Sequence, residues 1–200
     1  MRWESLFDDL ENQLEHELTL DELELRAEEE RLRIGRLGLR DRILALAESA
    51  GAVTLALTDG RWFTVRPHAF GKDWLAADIV PSEQLRPRAE LTQCILPLAS
   101  IVTIVVPREE LRQSIRPAPE ARGGERLAER IGLPFILRDL CRRRTRVDLT
   151  VASGAFIGTI DRVGRDHLDL AVHEADAPRR QSLVQRFVVL PLEAVSLIRF

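Results

Sequence analysis

Arg142-Arg143-Arg144-Thr145-Arg146 puts four guanidinium groups into five residues. A guanidinium is planar, forked and always charged, so such a run suits the oxygens of phosphate groups. Arg138 stands one helical turn upstream, and Arg179 and Arg180 follow later. Arg138, Arg142, Arg143, Arg144, Arg146, Arg179 and Arg180 are therefore candidates for one anion-binding field. Cations also favour helix C-termini, and an ordinary helix end explains the same run.

His167, Asp169 and His173 lie two or four apart in a stretch that reads as strand. They share a face opposite Leu168, Leu170 and Val172. A His-x-Asp pair on a strand can ligate a divalent metal. A solvated polar face explains it equally, and no metal is expected. Cys94 and Cys141, the two cysteines of the chain, sit among apolar residues with no base nearby in sequence, so they read as core. There is no nucleophile elbow, no phosphate-binding glycine loop with lysine and no HExxH. The expectation is a protein that is not an enzyme and carries no cofactor.

These residues must be positioned by a chain of 200, of which 45% are hydrophobic and 30% charged. That is one sizeable domain or two small ones, with enough apolar content for a core. The longest apolar runs, such as Ile104-Val105-Val106, are a few residues, whereas a membrane-spanning helix needs about 20. The opening Met1-Arg2-Trp3-Glu4 turns acidic at once, which predicts no signal peptide and a cytoplasmic location. All basic residues except Lys72 are arginine, and tyrosine is absent. That codon usage points to a GC-rich, bacterial gene, which weakens arginine content as evidence for phosphate binding.

Charge is unevenly spread. Residues 4 to 30 carry twelve acids and one base, Arg26, so this stretch is −11 in a chain of net −3 and the remainder is +8. Such asymmetry predicts a charged partner, or attraction between the two portions. Trp3, Phe7, Leu10, Leu14 and Leu18 follow helical spacing and form a candidate partner-helix face. Thr19-Leu20-Asp21-Glu22 fits a capping box for a second helix. Leu39 to Ala47 reads as a third.

After Gly51 the period changes to alternation. Val53 to Leu57 reads as a strand, Asp59-Gly60 as a tight hairpin and Arg61 to Val65 as the returning strand. Of Trp62 and Phe63, one should face the core and one solvent. Trp74 to Val80, Gln93 to Leu96 and Ile101 to Val106 complete five strands. Arg116-Pro117-Ala118-Pro119 and Gly123-Gly124 mark a linker. A helix is predicted from Glu125 to about Arg144, kinked or split at Pro134.

Then the pattern starts again. Val147 to Gly154 parallels Val53 to Gly60 at an offset of 94 residues. Val163-Gly-Arg-Asp-His-Leu168 parallels Phe70-Gly-Lys-Asp-Trp-Leu75 at 93, and Val189-Leu-Pro-Leu parallels Ile95-Leu-Pro-Leu at 94. Three blocks recur in order, each set preceded by a helix, which is an internal duplication.

The repeated unit resembles the Sm-like family. Val147-x-Leu-x-Val-x-Ser-Gly154, Gly158-x-Ile160 and Gly164-x-Asp166-x-Leu168-x-Leu170 are similar to its first motif, and Pro97 to Pro107 to its second in the bacterial Hfq-type form. The resemblance spans roughly 40 to 107 and 126 to 200. It implies small, five-stranded barrels that can pair through their closing strands, Ile101 to Val106 and Val195 to Phe200. Where the family carries base-contacting residues, this sequence has Ala76, Asp169, Leu96-Pro97 and Leu190-Pro191. The family's uridine pocket is therefore not implied.

The expected organisation is α+β and mainly β. An acidic helical segment covers 1–47, a first Sm-like or SH3-like barrel 48–107, a linker 108–125, and a helix plus second barrel 126–200. Two functional expectations follow. One is a protein–protein interaction or assembly module, working through the N-terminal helix and the barrel edge strands, with a protein partner or by self-association. The other is a regulator that binds RNA or single-stranded nucleic acid through the arginine cluster, masked by the acidic helix.

Overall fold

The computed structural model describes residues 22–81, 93–116, 130–173 and 184–200. The protein is α+β and mainly β: helices, then an antiparallel sheet, over two compact units, Met1–Gly38 and Leu39–Phe200. In the first unit a helix, α1, covers 22–35. Its leucines Leu23, Leu25 and Leu32 are exposed, and Glu22–Arg26, Glu28–Arg31 and Glu30–Arg33 pair along its surface. Such helical neighbours contribute only a few tenths of a kcal/mol each, about 0.2–0.5. The face formed by Trp3, Phe7, Leu10, Leu14 and Leu18 lies outside the described residues, as does the expected capping box at Thr19.

The second unit begins with α2 (Leu39–Ala50). Its stripe of Ile43 and Leu46 is buried in the first core cluster. The helix ends at Gly51, whose φ of 71° lets its N–H reach the Ala47 carbonyl at 3.0 Å. The division between units therefore falls after Gly38, and α2 belongs with the sheet.

Among the described residues ten strands follow: β1 (Val53–Leu57), β2 (Trp62–Phe70), β3 (Trp74–Ile79), β4 (Gln93–Pro97), β5 (Ile101–Val105), β6 (Arg146–Val151), β7 (Gly154–Val163), β8 (His167–Val172), β9 (Arg186–Pro191) and β10 (Val195–Arg199). They form one sheet in the order β5-β1-β2-β3-β4-β10-β6-β7-β8-β9. Each half repeats the same order, fifth strand first and fourth strand last. Each long strand carries a register irregularity at the same place, between Pro67 and Ala69 in β2 and between Ile160 and Arg162 in β7. Such bulges bend a strand and raise its twist. Asp59-Gly60 makes the first hairpin as expected, with Gly60 at φ 79°.

The strand pairing describes an open sheet and not two separately closed barrels. The physical reason is the β4 edge. Instead of folding back towards β5, it bonds to β10, with Ile198 opposite Ile95 and Arg199 opposite Cys94. Of the two closing strands expected to be exposed, Val195–Arg199 is paired on both sides, with β4 and β6. Ile101–Val105 remains an outer strand, and β9 is the other.

The cores interpenetrate at this seam. Leu197 of β10 is buried with Ile43, Leu55, Phe63 and Leu96 of the first half. Trp74, Ala76 and Ile95 of the first half are buried with Leu133, Leu140, Val147 and Ile198 of the second. Polar bonds cross it too. Ser100 Oγ lies 2.9 Å from the Ser196 carbonyl and 2.7 Å from that of Pro97. Ser196 Oγ lies 3.2 Å from Asp59 Oδ2 and 3.1 Å from the Thr150 carbonyl. Each hydroxyl proton is thus shared between an acceptor across the seam and one in its own half. Burial raises the Asp59 pKa, but bonds from the Arg61 side chain and N–H outweigh it and hold the carboxyl below its ordinary value.

The segment expected as linker is folded as far as residue 116. Arg108–Glu110 forms a 3-10 turn and α3 (Leu111–Ser114) follows, its Ser114 hydroxyl accepting from Arg42 Nη2 at 3.1 Å. The second repeat's helix, α4 (Leu133–Arg142), starts later than the expected Glu125, with Pro134 in its first turn. There a missing N–H costs nothing. Leu133, Leu137 and Leu140 are its buried stripe.

Gly71 tests the packing at the seam. A Cβ there would sit 2.1 Å from Trp74 Nε1 and 2.8 Å from the Ile131 carbonyl. Gly71→Ala is expected to lower stability by about 1–3 kcal/mol in urea unfolding, as overpacked sites do, whereas Gly35→Ala, with nothing within 4 Å, should not.

Candidate functional site

The arginine run is positioned by the end of α4 and the start of β6. Arg142 pairs with Asp139 at 2.6 Å and Arg143 with the same carboxylate at 2.7 Å. Arg144 lies 3.5 Å from Asp161, which Arg162 also approaches at 3.8 Å. Arg138 donates to the Gly164 carbonyl at 3.1 Å. Side chains of Arg142, Arg143, Arg144 and Arg162 remain mostly exposed. Arg146 turns inward, its Nε buried without a hydrogen-bond partner. Arg179 and Arg180 lie outside the described residues. The structure thus gathers Arg142, Arg143, Arg144 and Arg162 around two carboxylates, with Arg138 bonded instead to the Gly164 carbonyl. The Arg142 bond, aided by Arg143, keeps the Asp139 carboxyl below its ordinary pKa.

Arg144 has a φ of 57°, the one non-glycine in the left-handed region among the described residues. It follows the last turn of α4, where Thr145 N–H returns to the Leu140 carbonyl at 3.1 Å. A side chain in that conformation costs about 1–2 kcal/mol, and glycine is the usual residue there.

His167, Asp169 and His173 are not brought together as one site. His173 is buried and bonded to Thr159 at 2.9 Å. His167 is exposed and bonded through Nδ1 to Asp166 at 2.8 Å. Among the described residues no group of three His, Cys, Asp or Glu is placed to hold a metal. Of the aromatic pair, Phe63 is buried and Trp62 exposed. Cys94 is buried, and burial, with Asp78 nearby, pushes its thiol up to about 12. It is a neutral core group at physiological pH.

The most developed constellation is one that sequence reasoning missed: the grip of the first repeat on the segment before α4. Lys72 N–H and Trp74 Nε1 both donate to the Ile131 carbonyl, at 3.0 and 2.9 Å. Asp73 Oδ1 accepts the Leu133 N–H at 2.8 Å, satisfying a first-turn donor of the helix. Beside it a groove of about 670 Å³ runs from Asp73, Leu133 and Pro134 to Asp166, His167 and Val189. A second groove, of about 240 Å³, lies between α2 and the outer strand β5, lined by Leu39, Arg42, Leu46, Val102 and Ile104.

A signal for this was in the sequence. Arg36-Leu37-Gly38-Leu39 recurs as Arg130-Ile131-Gly132-Leu133 at the 94-residue offset, so the duplication reaches upstream of both helices. Gly71 and Gly164 also correspond, each beneath a ring, Trp74 or His167. No helix among the described residues is long and apolar enough to cross a membrane. Comparison with family models, with curated proteins and with solved structures finds no significant match to this chain.

Arg144→Gly should raise stability by about 1 kcal/mol in denaturant unfolding by removing the left-handed strain. A loss of stability would mean that the Arg144–Asp161 pair outweighs it.

Proposed function

We propose that the chain is a non-enzymatic assembly module, made of two Sm-like five-stranded units fused edge to edge, whose outer edges join further copies. The observation that supports this best is the pairing of β4 with β10, with β5 and β9 left as outer strands. Those outer strands carry apolar side chains in solvent. Val102 is 60% exposed and Val105 44% on β5, and Phe187 is 62% and Val189 63% on β9. Monomeric proteins usually blunt such edges with charge or proline, because an unpaired row of N–H and C=O groups invites another strand.

On this reading the duplication gives the register. Moving the observed Ile198–Ile95 and Arg199–Cys94 pairs by 94 residues gives Ile104 opposite Val189 and Val105 opposite Val188. Such a contact joins two different surfaces, so it is head-to-tail and generates rings or filaments. The full-length chain should self-associate with concentration in sedimentation velocity. Val189→Lys should reduce it to monomer with unchanged far-UV circular dichroism. A wild-type chain that stays monomeric throughout, or a lysine variant that assembles normally, would overturn the reading.

A second reading is favoured by the arginine cluster: a regulator that binds RNA or single-stranded nucleic acid. Four guanidinium groups lie around two carboxylates, and all four are largely exposed. Trp62 offers an exposed ring for stacking on the same chain. Fluorescence anisotropy on mixed-sequence RNA across a salt series tests it. The wild type should bind with a steep salt dependence, and Arg142/Arg143/Arg144→Glu should weaken binding and flatten the slope by about 0.7 per lost phosphate contact. No binding at low salt would sink it.

A further inference from the structure

The seam inside the chain is a template for what the free ends lack. Trp74, Ala76 and Ile95 of the first repeat fill the surface between α4 and β10, where they are buried with Leu133, Leu140, Val195 and Ile198. The 94-residue equivalents of that surface are Leu39, Leu46, Ile101 and Ile104, which line the open groove between α2 and β5. The equivalents of the filling residues are His167, Asp169 and Val189, on the outer part of the second repeat. Their strand geometry matches as well: Trp74 lies opposite Pro97 and Ala76 opposite Ile95, while His167 lies opposite Pro191 and Asp169 opposite Val189. Groove and filler are both present, at opposite ends of the sheet.

We propose that the α2/β5 groove is occupied by a second copy of this chain, which inserts its His167, Asp169 and Val189 face and pairs Asp169 with Arg42. This rests on the assembly reading above and names the contact that makes it specific. Arg42 stands where α4 has Ile136, and Asp169 stands where β3 has Ala76. Ile136 packs against the core cluster that holds Ala76, so two apolar positions of the internal seam are replaced, at the ends, by a cation and an anion. Arg42 lines the groove, gives Nη2 to Ser114 at 3.1 Å and keeps a buried Nε with no hydrogen-bond partner. The Ser114 bond holds the guanidinium at the groove wall, where a carboxylate entering the groove meets a cation and makes charge-assisted bonds to it. Asp166 is the equivalent of Asp73. Its carboxylate is bonded to the neighbouring His167, whereas Asp73 grips the N–H of Leu133, and in the assembly Asp166 takes the N–H of Leu39, the equivalent of Leu133.

Charge reversal in the full-length chain tests this. Arg42→Glu alone and Asp169→Arg alone should each weaken self-association at least tenfold, the loss of a charge-assisted bond, because like charges then meet in every contact. Mixing the two variants should restore association, since each contact in an alternating assembly pairs opposite charges. Melting curves establish that each variant is folded, and Asp166→Ala, on an exposed turn, gives a milder weakening if a reversed variant is not. Single variants that assemble as the wild type does, or a mixture that recovers nothing, would overturn the Arg42–Asp169 contact while leaving edge pairing intact. A wild-type chain that never self-associates would overturn the assembly reading itself.

Discussion

The architecture of the larger unit depends on the bond between β4 and β10. Both strands are short and lie about a hundred residues apart in sequence. Their pairing makes one sheet from two five-stranded halves and takes Leu197 into one core and Trp74 and Ile95 into the other. Burying one such side chain contributes about 1.5–3 kcal/mol, so three of them outweigh the few hydrogen bonds of the strand pair itself. Ser100, Ser196 and Asp59 add polar contacts where the halves meet, although Asp148 Oδ1, Thr150 Oγ1 and Arg199 Nε stay buried there without a hydrogen-bond partner. Neither half could be removed without exposing part of the other's core.

The halves are alike in topology and differ where they meet something. At the inner junction the duplicated positions are apolar: Trp74, Ala76 and Ile136. At the outer ends the same positions hold His167, Asp169 and Arg42. A dry contact formed within one chain has no entropy of association to overcome and is permanent. A polar counterpart between chains gains specificity from charge complementarity and is sensitive to salt. The duplicated positions have therefore diverged to apolar residues at the inner junction and to polar or charged ones at the outer ends.

The arginine run is also resolved by its surroundings. Four arginines in five residues suggest an unbroken cationic surface, yet Asp139, one turn back on α4, and Asp161, on β7, are threaded among them. Arg146 faces inward as its strand begins. What remains is a mixed patch with an excess of cations, a more moderate field than the run by itself implies.

The order of the described elements, the Asp59-Gly60 hairpin and the duplication were legible in the sequence, because each rests on local causes. Asp59-Gly60 needs only a glycine to adopt φ 79°, the stripes of α2 and α4 need only helical spacing, and a repeat shows itself by comparing residues. Even the grip before α4 left a trace in Arg36-Leu-Gly-Leu and Arg130-Ile-Gly-Leu. The linker was read too long and α4 too early because Pro134 suits the first turn of a helix as well as a break. Only the tertiary structure decided that the halves share one open sheet, which edge is consumed and which two strands lie outermost among the described residues. Pairing between distant strands is set by which edges find matching apolar faces once both halves have formed, and that match has no local signature in either strand.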